Sequence, residues 1–392
     1  MSKLYLFTAN YPYGRIETFL EDEIEYLSKE FDSVEIIPLS SRTSYKRAVP
    51  NNCIVWDPII KSRKQQYTKG LFCLRSFPLF ISEFFRYSVF LNWKRMKTWM
   101  IGLSIANNLL KSKSIKALFA RIQKDDVCYF YWGKGSNLLS VFYRGRAHFV
   151  SRFHGEWDLW EESSGNYAPL RRMLSQSLEL CTFISNKGEA YFRERYIPIR
   201  TLVSPLGAND YGISSKSRDG YLRVVSCSTI YPLKRVPLIF STLRSMKGKR
   251  IIWTHLGGGD QYEALKEFVK QNLREDLVVH LPGEIKHEEV LSYYKNNQVD
   301  IFINVSENEG VPVSIMEAIS FDIPVIATNV GGNSEIVTEA TGKLVSSNPT
   351  IDELSEAILY VSTHTFSPRD YWKGHYCAET NYSSFARVLK QL

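Results

Sequence analysis

The chain has 392 residues, of which 44% are hydrophobic and 23% charged, the balance of a globular protein with room for two or three domains. This composition excludes disordered, collagen-like and coiled-coil arrays. The formal net charge of +8 makes an anionic partner worth seeking.

The chain carries signs of a cytoplasmic protein. Its six cysteines lie far apart without a C-x-x-C pair, which is typical of reduced, buried thiols. The N-terminal run MSKLYLFTANYPYG lacks the basic and apolar regions of a secretory signal. No stretch of about 18 uncharged apolar residues occurs, so we expect no membrane-spanning helix.

Strand-like apolar runs recur along both halves of the chain. In the first half they cover 4–8, 34–39, 127–131, 149–153, 182–185 and 201–204. In the second half they cover 222–227, 250–255, 277–281, 299–305, 324–328 and 343–346. Helical patterns lie between several of them, including 18–29, 167–180, 261–271 and 288–296. This alternation predicts an α/β fold with parallel sheets and right-handed crossovers.

Two such units give two Rossmann-like domains. A polar segment after Pro205, GANDYGISSKSRDG, reads as a linker. We therefore predict an N-terminal domain over 1–205, a C-terminal domain over 206–375, and a helical segment, 376–392, that packs back across the domain junction. Because ligands of open α/β sheets bind at the carboxyl ends of strands, two facing domains would form a cleft.

Most of the positive charge lies in residues 61–124, which contain 14 Lys and Arg and one acid, Glu83. The same stretch is rich in large apolar residues, as in LFCLRSFPLFISEFFRYSVFLNWKRMKTWMIGL. Basic and aromatic residues at helical spacing favour a helix on an anionic membrane surface. A core helix pair with a solvated basic face is the alternative. No recognition motif accompanies the charge, so we expect no nucleic-acid partner.

The segment 299–337 is the most informative, and it reads VDIFINVSENEGVPVSIMEAISFDIPVIATNVGGNSEIV. A buried strand ends in a loop that holds Glu309, and Pro312 precedes a helix. The first backbone amides of that helix, at Val313 and Ser314, suit a phosphate. A carboxylate can accept paired hydrogen bonds from a vicinal diol, so Glu309 and Glu317 suit hydroxyl-bearing parts of one ligand.

This segment resembles the signature of the retaining glycosyltransferases of family 4, which have the GT-B fold. The resemblance stands on SENEGVPVSIMEA, FDIPVIAT and GGNSE, with Asp322 in place of the usual glycine. It is strongest over 222–344 and weaker across the rest of the chain. It implies two Rossmann-like domains with parallel sheets that face each other across a cleft.

The resemblance implies roles for the residues of this segment. Glu309 would contact hydroxyls of the donor sugar, and Glu317 would hold the ribose of the nucleotide. Gly310 would leave room for close backbone approach. Amides near Val313 and Ser314 would meet the sugar or the diphosphate.

Upstream, SCSTIYPLKRV is similar to the family's diphosphate-binding segment. Lys234 matches the family's lysine, but Thr229 stands where its arginine usually lies. Arg235 is a candidate substitute, although successive residues at a helix start do not face the same way. Cations are needed here because negative charge develops on the leaving diphosphate.

Two further loops, LPGEI and YPYGRIETFLEDEI, resemble parts of the family's site. LPGEI would read the base through Gly283, Glu284 and Ile285. The loop YPYGRIETFLEDEI would bring the backbone at Gly14 to the donor phosphates or the acceptor, with Arg15 and Glu17 as acceptor candidates. An alternative for this loop is a simple helix entry with a capping box formed by residues 18 and 21.

In SRFHGEWD, His154 matches the histidine that the family directs at the donor sugar, and its position would let it stabilise charge near the reacting carbon. Glu156 and Asp158 are acceptor-side candidates. No metal-ligand spacing occurs among the seven histidines.

The predicted function is retaining, metal-independent hexosyl transfer from a nucleoside diphosphate sugar, with UDP favoured over GDP, and with no cofactor. The resemblance implies a front-face mechanism in which the leaving phosphate helps to deprotonate the acceptor. The predicted catalytic residues are Glu309, Lys234 and His154. The predicted acceptor is a glycan or lipid-linked oligosaccharide of surface polysaccharide assembly, at the cytoplasmic face of the membrane. A sugar-nucleotide epimerase or phosphorylase of the same fold, and a non-catalytic scaffold, are the alternatives.

Overall fold

The computed structural model describes residues 2–14, 17–41, 43–62, 64–66, 73–155 and 158–392. Two compact units divide them. Unit 1 comprises Met1–Pro205 and Tyr382–Leu392, and unit 2 comprises Leu206–Asn381. The helix Ala378–Lys390 therefore begins in unit 2, and its later turns belong to unit 1.

Unit 1 is built on a parallel sheet in the order β3-β2-β1-β4-β5-β6-β7. Its strands are β1 Lys3–Thr8, β2 Ser33–Pro38, β3 Cys53–Val55, β4 Val127–Phe130, β5 His148–Phe153, β6 Leu180–Phe183 and β7 Thr201–Val203. The described α-helices before the C-terminal helix are Phe19–Glu30, Phe77–Arg86, Trp93–Lys111, Lys113–Arg121, Leu139–Phe142, Arg171–Ser177 and Asn186–Arg195. Short 3-10 turns cover Val89–Leu91, Ser136–Leu138 and Glu162–Ser164.

Unit 2 repeats the plan with the order β10-β9-β8-β11-β12-β13. Its strands are β8 Leu222–Cys227, β9 Ile251–Leu256, β10 Leu277–Gly283, β11 Ile301–Asn304, β12 Val325–Thr328 and β13 Gly342–Val345. Its α-helices are Val236–Ser245, Tyr262–Asn272, His287–Asn296, Val313–Ser320, Asn333–Ile336, Ile351–Thr363 and Pro368–His375, with a 3-10 turn at Pro232–Lys234. All pairings in both sheets are parallel, which confirms the predicted α/β class.

The predicted strands are found within a few residues of their expected ends, but unit 1 differs from the prediction in two elements. The short strand β3 was not predicted, and the helix expected over 167–180 is confined to Arg171–Ser177. Leu170 adopts a left-handed backbone with φ 54°, and its amide donates to the buried Glu83 carboxylate. A helix cannot extend through that conformation.

Both faces of the unit 1 sheet are buried. Successive residues of a strand point to opposite faces, so neighbouring residues pack into different cores. Leu4 and Leu6 pack into one core, which includes Phe385 of the C-terminal helix. Tyr5 and Phe7 pack into the other core. Apolar residues without alternation are therefore what this doubly covered sheet requires.

A charged pair lies fully buried in unit 1. The Arg152 guanidinium on β5 is 2.5 Å from Glu23 Oε2, and neither side chain is accessible to solvent. Tyr129 donates its hydroxyl to Glu23 Oε1 at 3.1 Å, and the Phe385 ring lies 4.2 Å from the guanidinium. The pair thus joins the sheet, the first helix and the C-terminal helix.

We expect Glu23→Ala to lower the free energy of unfolding by about 3–5 kcal/mol, because it leaves the Arg152 charge buried without its counter-ion. Urea unfolding followed by circular dichroism measures this loss. Glu25→Ala, an exposed change on the same helix, is the control and should shift the free energy by less than about 0.5 kcal/mol. Equal effects of the two variants would contradict the assigned role.

Candidate functional site

The candidate site of unit 2 lies at the carboxyl ends of β8 and β11. These strands are neighbours at the point where the strand order reverses, which is where open α/β sheets bind their ligands. Lys234 ends the 3-10 turn after β8, and Glu309 lies in the loop after β11. The amide of Glu307 donates to the carbonyl of Leu233 at 2.8 Å, so the two loops are directly attached.

Lys234 and Glu309 form an ion pair. Lys234 Nζ lies 2.5 Å from Glu309 Oε1, and both side chains are largely buried. The Asn304 side-chain amide donates to the same oxygen at 3.2 Å. Glu309 Oε2 has no partner among the described residues. The Lys234 ammonium has three protons, of which the contact with Glu309 uses one. The pair can therefore still accept a ligand hydroxyl and donate to an anionic oxygen.

Glycines fix the loop that carries Glu309. Gly331 has φ 52°, and a Cβ on it would lie 1.7 Å from the Glu309 carbonyl oxygen. The amide of Gly332 donates to the Gly310 carbonyl at 2.6 Å. The paired glycines of GGNSE thus allow one loop backbone to rest on another, which no side chain would permit.

Glu317 is the second carboxylate of the site and is buried on the helix Val313–Ser320. His287 Nε2 lies 2.6 Å from Glu317 Oε1. Since an ionised carboxylate only accepts, His287 donates from Nε2. This contact fixes the carboxylate while its oxygens keep lone pairs for a diol. The amides of Val313 and Ser314 lie in the first turn of the same helix, where no intrahelical acceptor exists.

The Arg235 side chain binds backbone carbonyls, whereas it was predicted as a candidate to bind the diphosphate. Its backbone is left-handed, with φ 48°, and its guanidinium donates to the carbonyls of Val305, Ser306 and Ser347 at 2.6, 3.1 and 2.8 Å. Burial lowers the pKa of this guanidinium from its ordinary value. The prediction that Arg235 binds the diphosphate is therefore not supported, because its donors hold the loop after β11.

Gly283 ends β10 with φ 81°, and a Cβ on it would lie 3.4 Å from the Tyr262 ring. A Cβ on Gly258 would lie 2.9 Å from the Glu284 amide nitrogen. The glycine-rich loop after β9 therefore packs against the loop of Gly283, Glu284 and Ile285.

In unit 1, Glu17 holds a loop. Its buried carboxylate accepts from the amides of Ala9, Asn10 and Tyr11 at 3.1, 2.7 and 2.6 Å, and from Trp132 Nε1 at 2.5 Å. Glu17 was predicted to be a candidate for acceptor binding, but these four donors occupy its carboxylate, so the structure does not support that role. The alternative capping box was also wrong, since Thr18 makes no side-chain cap.

Asp158 is likewise engaged within unit 1, which contradicts its predicted acceptor role. It accepts from the amides of Gly133, His154 and Gly155 at 2.8, 2.9 and 3.0 Å. Burial alone would raise the pKa of Asp158, but His154 and these amides outweigh it and hold the pKa below its ordinary value.

His154 follows β5, with Nδ1 3.2 Å from Asp158 Oδ2. Its ring centre lies 4.7 and 4.5 Å from those of Tyr131 and Trp132. Its Nε2 is buried without a hydrogen-bond partner among the described residues.

Gly14 has a left-handed backbone, with φ 74°, and its amide donates to the Tyr45 carbonyl at 2.9 Å. Arg15 and Glu156 lie outside the described residues.

Sequence reasoning missed Asn304 and His287. Asn304 had a signal, since it is a polar residue at the carboxyl end of an apolar strand. His287 had none that distinguished it from the other histidines. The described residues contain no group of three or more His, Cys, Asp or Glu side chains placed to hold a metal ion.

Most of unit 2 matches a known protein family. Residues 213–373 match the family described as glycosyl transferases group 1. The Escherichia coli O-antigen biosynthesis glycosyltransferase WbnH is 33% identical over 90 residues, which is 23% of this chain and 24% of WbnH. The putative colanic acid biosynthesis glycosyltransferase WcaL of Escherichia coli K12 is 26% identical over 52% of each chain. The chain thus matches about a quarter of the length of WbnH and about half of the length of WcaL.

Solved structures resemble the whole chain. The lipopolysaccharide outer core galactosyltransferase WaaB superposes with a TM-score of 0.72 at 15% identity, covering 100% of both chains. Anabaena HepE, in complex with UDP and glucose, gives 0.63 at 13% identity with the same coverage. The chain therefore has the GT-B fold.

A buried histidine beside this site predicts a pH dependence of stability. His255 Nδ1 lies 2.8 Å from Ser226 Oγ, and Nε2 lies 3.1 Å from the Ser228 carbonyl oxygen. Burial lowers the pKa of His255 to about 4. Between pH 6.5 and 4 the unfolded chain therefore binds a proton that the folded chain does not. The free energy of unfolding therefore decreases as the pH is lowered through this range.

We expect acidification from pH 7 to 4 to remove roughly 3 kcal/mol through this residue. In His255→Asn, urea unfolding at several pH values should show a flatter decline. His280→Asn, at an exposed position on β10, is the control and should keep the wild-type slope. An unchanged slope in His255→Asn would contradict the assignment.

Proposed function

We propose that this chain is a retaining glycosyltransferase of family 4, which transfers a sugar from a nucleoside diphosphate sugar to a hydroxyl of a glycan or lipid-linked acceptor. The observation that carries the proposal is the Lys234–Glu309 pair at the switch point of unit 2, beside the first turn of the helix Val313–Ser320. The family match over the same unit supports it.

The roles follow from which atoms remain available. Lys234 and the helix amides would stabilise the diphosphate as its bond to the sugar breaks. Glu309 would orient the sugar through Oε2, while Asn304 and Lys234 hold Oε1. A front-face mechanism, in which the leaving phosphate takes the acceptor proton, needs no covalent nucleophile from the protein. Protein cations would then stabilise the negative charge of the leaving diphosphate without a metal ion.

The donor would be a UDP-sugar, with its ribose on Glu317. The contact from His287 presets this carboxylate for the ribose diol. The loop of Gly283, Glu284 and Ile285 would meet the base. The complex of Anabaena HepE with UDP and glucose supports UDP over GDP.

The acceptor would belong to a surface polysaccharide. This rests on the relatives, which are named for O-antigen and colanic acid biosynthesis. Unit 1 would bind the acceptor, and the predicted cytoplasmic location at the inner membrane face remains part of this proposal. No helix in the described part of the chain is both long and apolar enough to span a membrane.

An exposed surface of unit 1 supports contact with an anionic membrane. Phe85, Phe90, Leu91 and Trp93 are 66%, 52%, 75% and 73% exposed. The rings of Phe84, Phe85 and Phe90 touch one another, and Arg86, Lys94 and Lys97 are exposed on the same helices. Aromatic anchors among cations suit an interfacial helix. We name residues 84–97 the aromatic–basic surface.

We expect Lys234→Ala to lower kcat for UDP-sugar turnover by about 10²–10³-fold, because it removes the cation nearest the leaving diphosphate. UDP release measures this, together with a thermal-shift panel of UDP, GDP, ADP and CMP. One nucleotide should stabilise the wild-type protein, by about 2.7 kcal/mol at 100 times its dissociation constant, and the variant less.

Lys266→Ala is the control, since Lys266 is exposed on the helix Tyr262–Asn272. An unchanged kcat in Lys234→Ala would contradict the role of Lys234. No stabilisation of the wild-type protein by any nucleotide would favour the non-catalytic scaffold. Turnover that needs inorganic phosphate, or no acceptor alcohol, would favour a phosphorylase or an epimerase.

We expect the protein to sediment with vesicles that contain anionic lipid and to be released by salt. Lys94→Gln combined with Lys97→Gln should weaken binding by at least tenfold, at about 1 kcal/mol per charge. Phe90→Ser combined with Trp93→Ser should weaken binding even to neutral vesicles. The control is Leu273→Ser, an exposed apolar residue of unit 2. Equal partitioning to neutral and anionic vesicles at low salt would refute the electrostatic part.

A further inference from the structure

Unit 1 contains a cavity of about 500 Å³ in its helix layer, which is within the size range of small-molecule sites. Its lining comes from the helix Arg171–Ser177, the end of the helix Asn186–Arg195, the loop after β5, and Tyr87 of the aromatic–basic surface. The helix Asn186–Arg195 runs from the carboxyl end of β6 back towards the amino end of β7. The cavity is therefore separate from another of about 350 Å³, mostly apolar and with Lys134 at its edge, at the carboxyl ends of β1 and β4.

Four polar side chains of the cavity in the helix layer have no hydrogen-bond or ion-pair partner in the described part of the chain. They are the Arg172 guanidinium, the Gln176 and Asn166 amides, and the Tyr87 hydroxyl. Arg172 and Gln176 are four residues apart on one helix, so they lie on the same face of it. All four side chains can donate, and the two amides and the hydroxyl can also accept. The cavity can therefore bind a ligand that has several hydroxyl groups.

The charges that line this cavity are nearly balanced. Glu161 accepts the Tyr196 hydroxyl on both oxygens, at 2.8 and 2.9 Å, and Arg171 lies 3.8 Å from Glu161. Arg195 is paired with two glutamates that do not line the cavity. Among the described residues, Arg172 is the one lining charge without a partner. A single unpaired cation among neutral polar groups favours an uncharged polar ligand, since a phosphate group would need several free cations.

Apolar surface lies beside these polar groups. The Tyr87 and Tyr196 rings line the cavity, and Ile197 in its lining is 79% exposed. A pyranose ring carries C–H groups on its faces and hydroxyls around its edge. It can therefore pack on an aromatic ring while its hydroxyls reach polar side chains. The lining thus matches a sugar better than it matches an apolar chain.

We propose that this cavity is a second glycan-binding site, which holds a neutral oligosaccharide apart from the crevice where sugar transfer takes place. Arg172 and Gln176 make its main polar contacts, and Tyr87 and Tyr196 supply the ring surface. The choice of a glycan over another polyol rests on the proposed function, because an enzyme that builds a polysaccharide meets chains longer than one sugar. These residues hold the chain and take no part in the transfer.

A glycan microarray probed with the full chain tests this proposal, followed by calorimetric titration with the neutral oligosaccharide that binds best. Arg172→Ala combined with Gln176→Ala should weaken that binding by at least tenfold, because it removes two hydrogen-bonding side chains from one helix face. Both positions are exposed, so this double variant should keep the wild-type melting temperature. The matched control is Arg144→Ala combined with Gln123→Ala, at exposed positions of unit 1, which should bind as wild type does.

Salt distinguishes a neutral glycan from an anion. Raising NaCl from about 50 to about 500 mM should change the affinity for the neutral oligosaccharide by less than about twofold, whereas binding of an anion would be screened. Binding to acidic or phosphate-bearing glycans alone would overturn the proposal. It would also be overturned if wild type bound no glycan, or if wild type and the Arg172→Ala, Gln176→Ala variant bound equally well.

Thermal shift with UDP, run on wild type and on the same double variant, separates this site from the proposed function. The double variant should be stabilised by UDP as much as wild type is, because its changes lie outside the donor site. Stabilisation by UDP without cavity-dependent glycan binding would leave the proposed function standing and refute this site. Cavity-dependent glycan binding without stabilisation by any nucleotide would support this site and contradict the proposed donor site.

Discussion

The backbone contact between Gly331 and the Glu309 carbonyl is the constraint on which the unit 2 site depends. A side chain at Gly331 would collide with that carbonyl, so the loop can rest there only if this residue lacks a Cβ. The contact places Glu309 within reach of Lys234 and Asn304. Arg235 holds the start of the same loop through the carbonyls of Val305 and Ser306. The charged pair is therefore positioned by backbone packing as much as by its own attraction.

The availability of hydrogen-bonding atoms separates binding carboxylates from structural ones in this protein. Glu17 and Asp158 are surrounded by amide donors, and this explains why they hold loops. Glu309 and Glu317 each receive their described contacts on a single oxygen. All four residues lie after a strand of one of the sheets, so their position relative to the strands does not distinguish the binding carboxylates from the structural ones. The number of hydrogen-bond donors around each carboxylate does distinguish them, because each accepted hydrogen bond leaves less capacity for a ligand.

The two sheets use one topology for different chemistry. In each unit the neighbouring strands at the switch point open a crevice at their carboxyl ends. In unit 2 that crevice holds a charged pair and helix amides, whereas in unit 1 it is an apolar cavity with Lys134 at its edge. The difference arises in the residues that follow the strands, because the strands themselves are apolar in both units. The fold thus provides position, and the loops provide specificity.

The sequence by itself determined the α/β class, nearly all strands, the family resemblance, and the loop and helix that carry Glu309 and Glu317. These rest on local periodicity and on a long motif, which a single chain displays directly. Only the tertiary structure decided that Arg235 binds backbone carbonyls, that His287 contacts Glu317, and that Glu17 is saturated. It also revealed the fully buried Arg152–Glu23 pair. Most of these contacts join residues far apart in the chain, and the geometry of all of them depends on loop packing that no local pattern encodes.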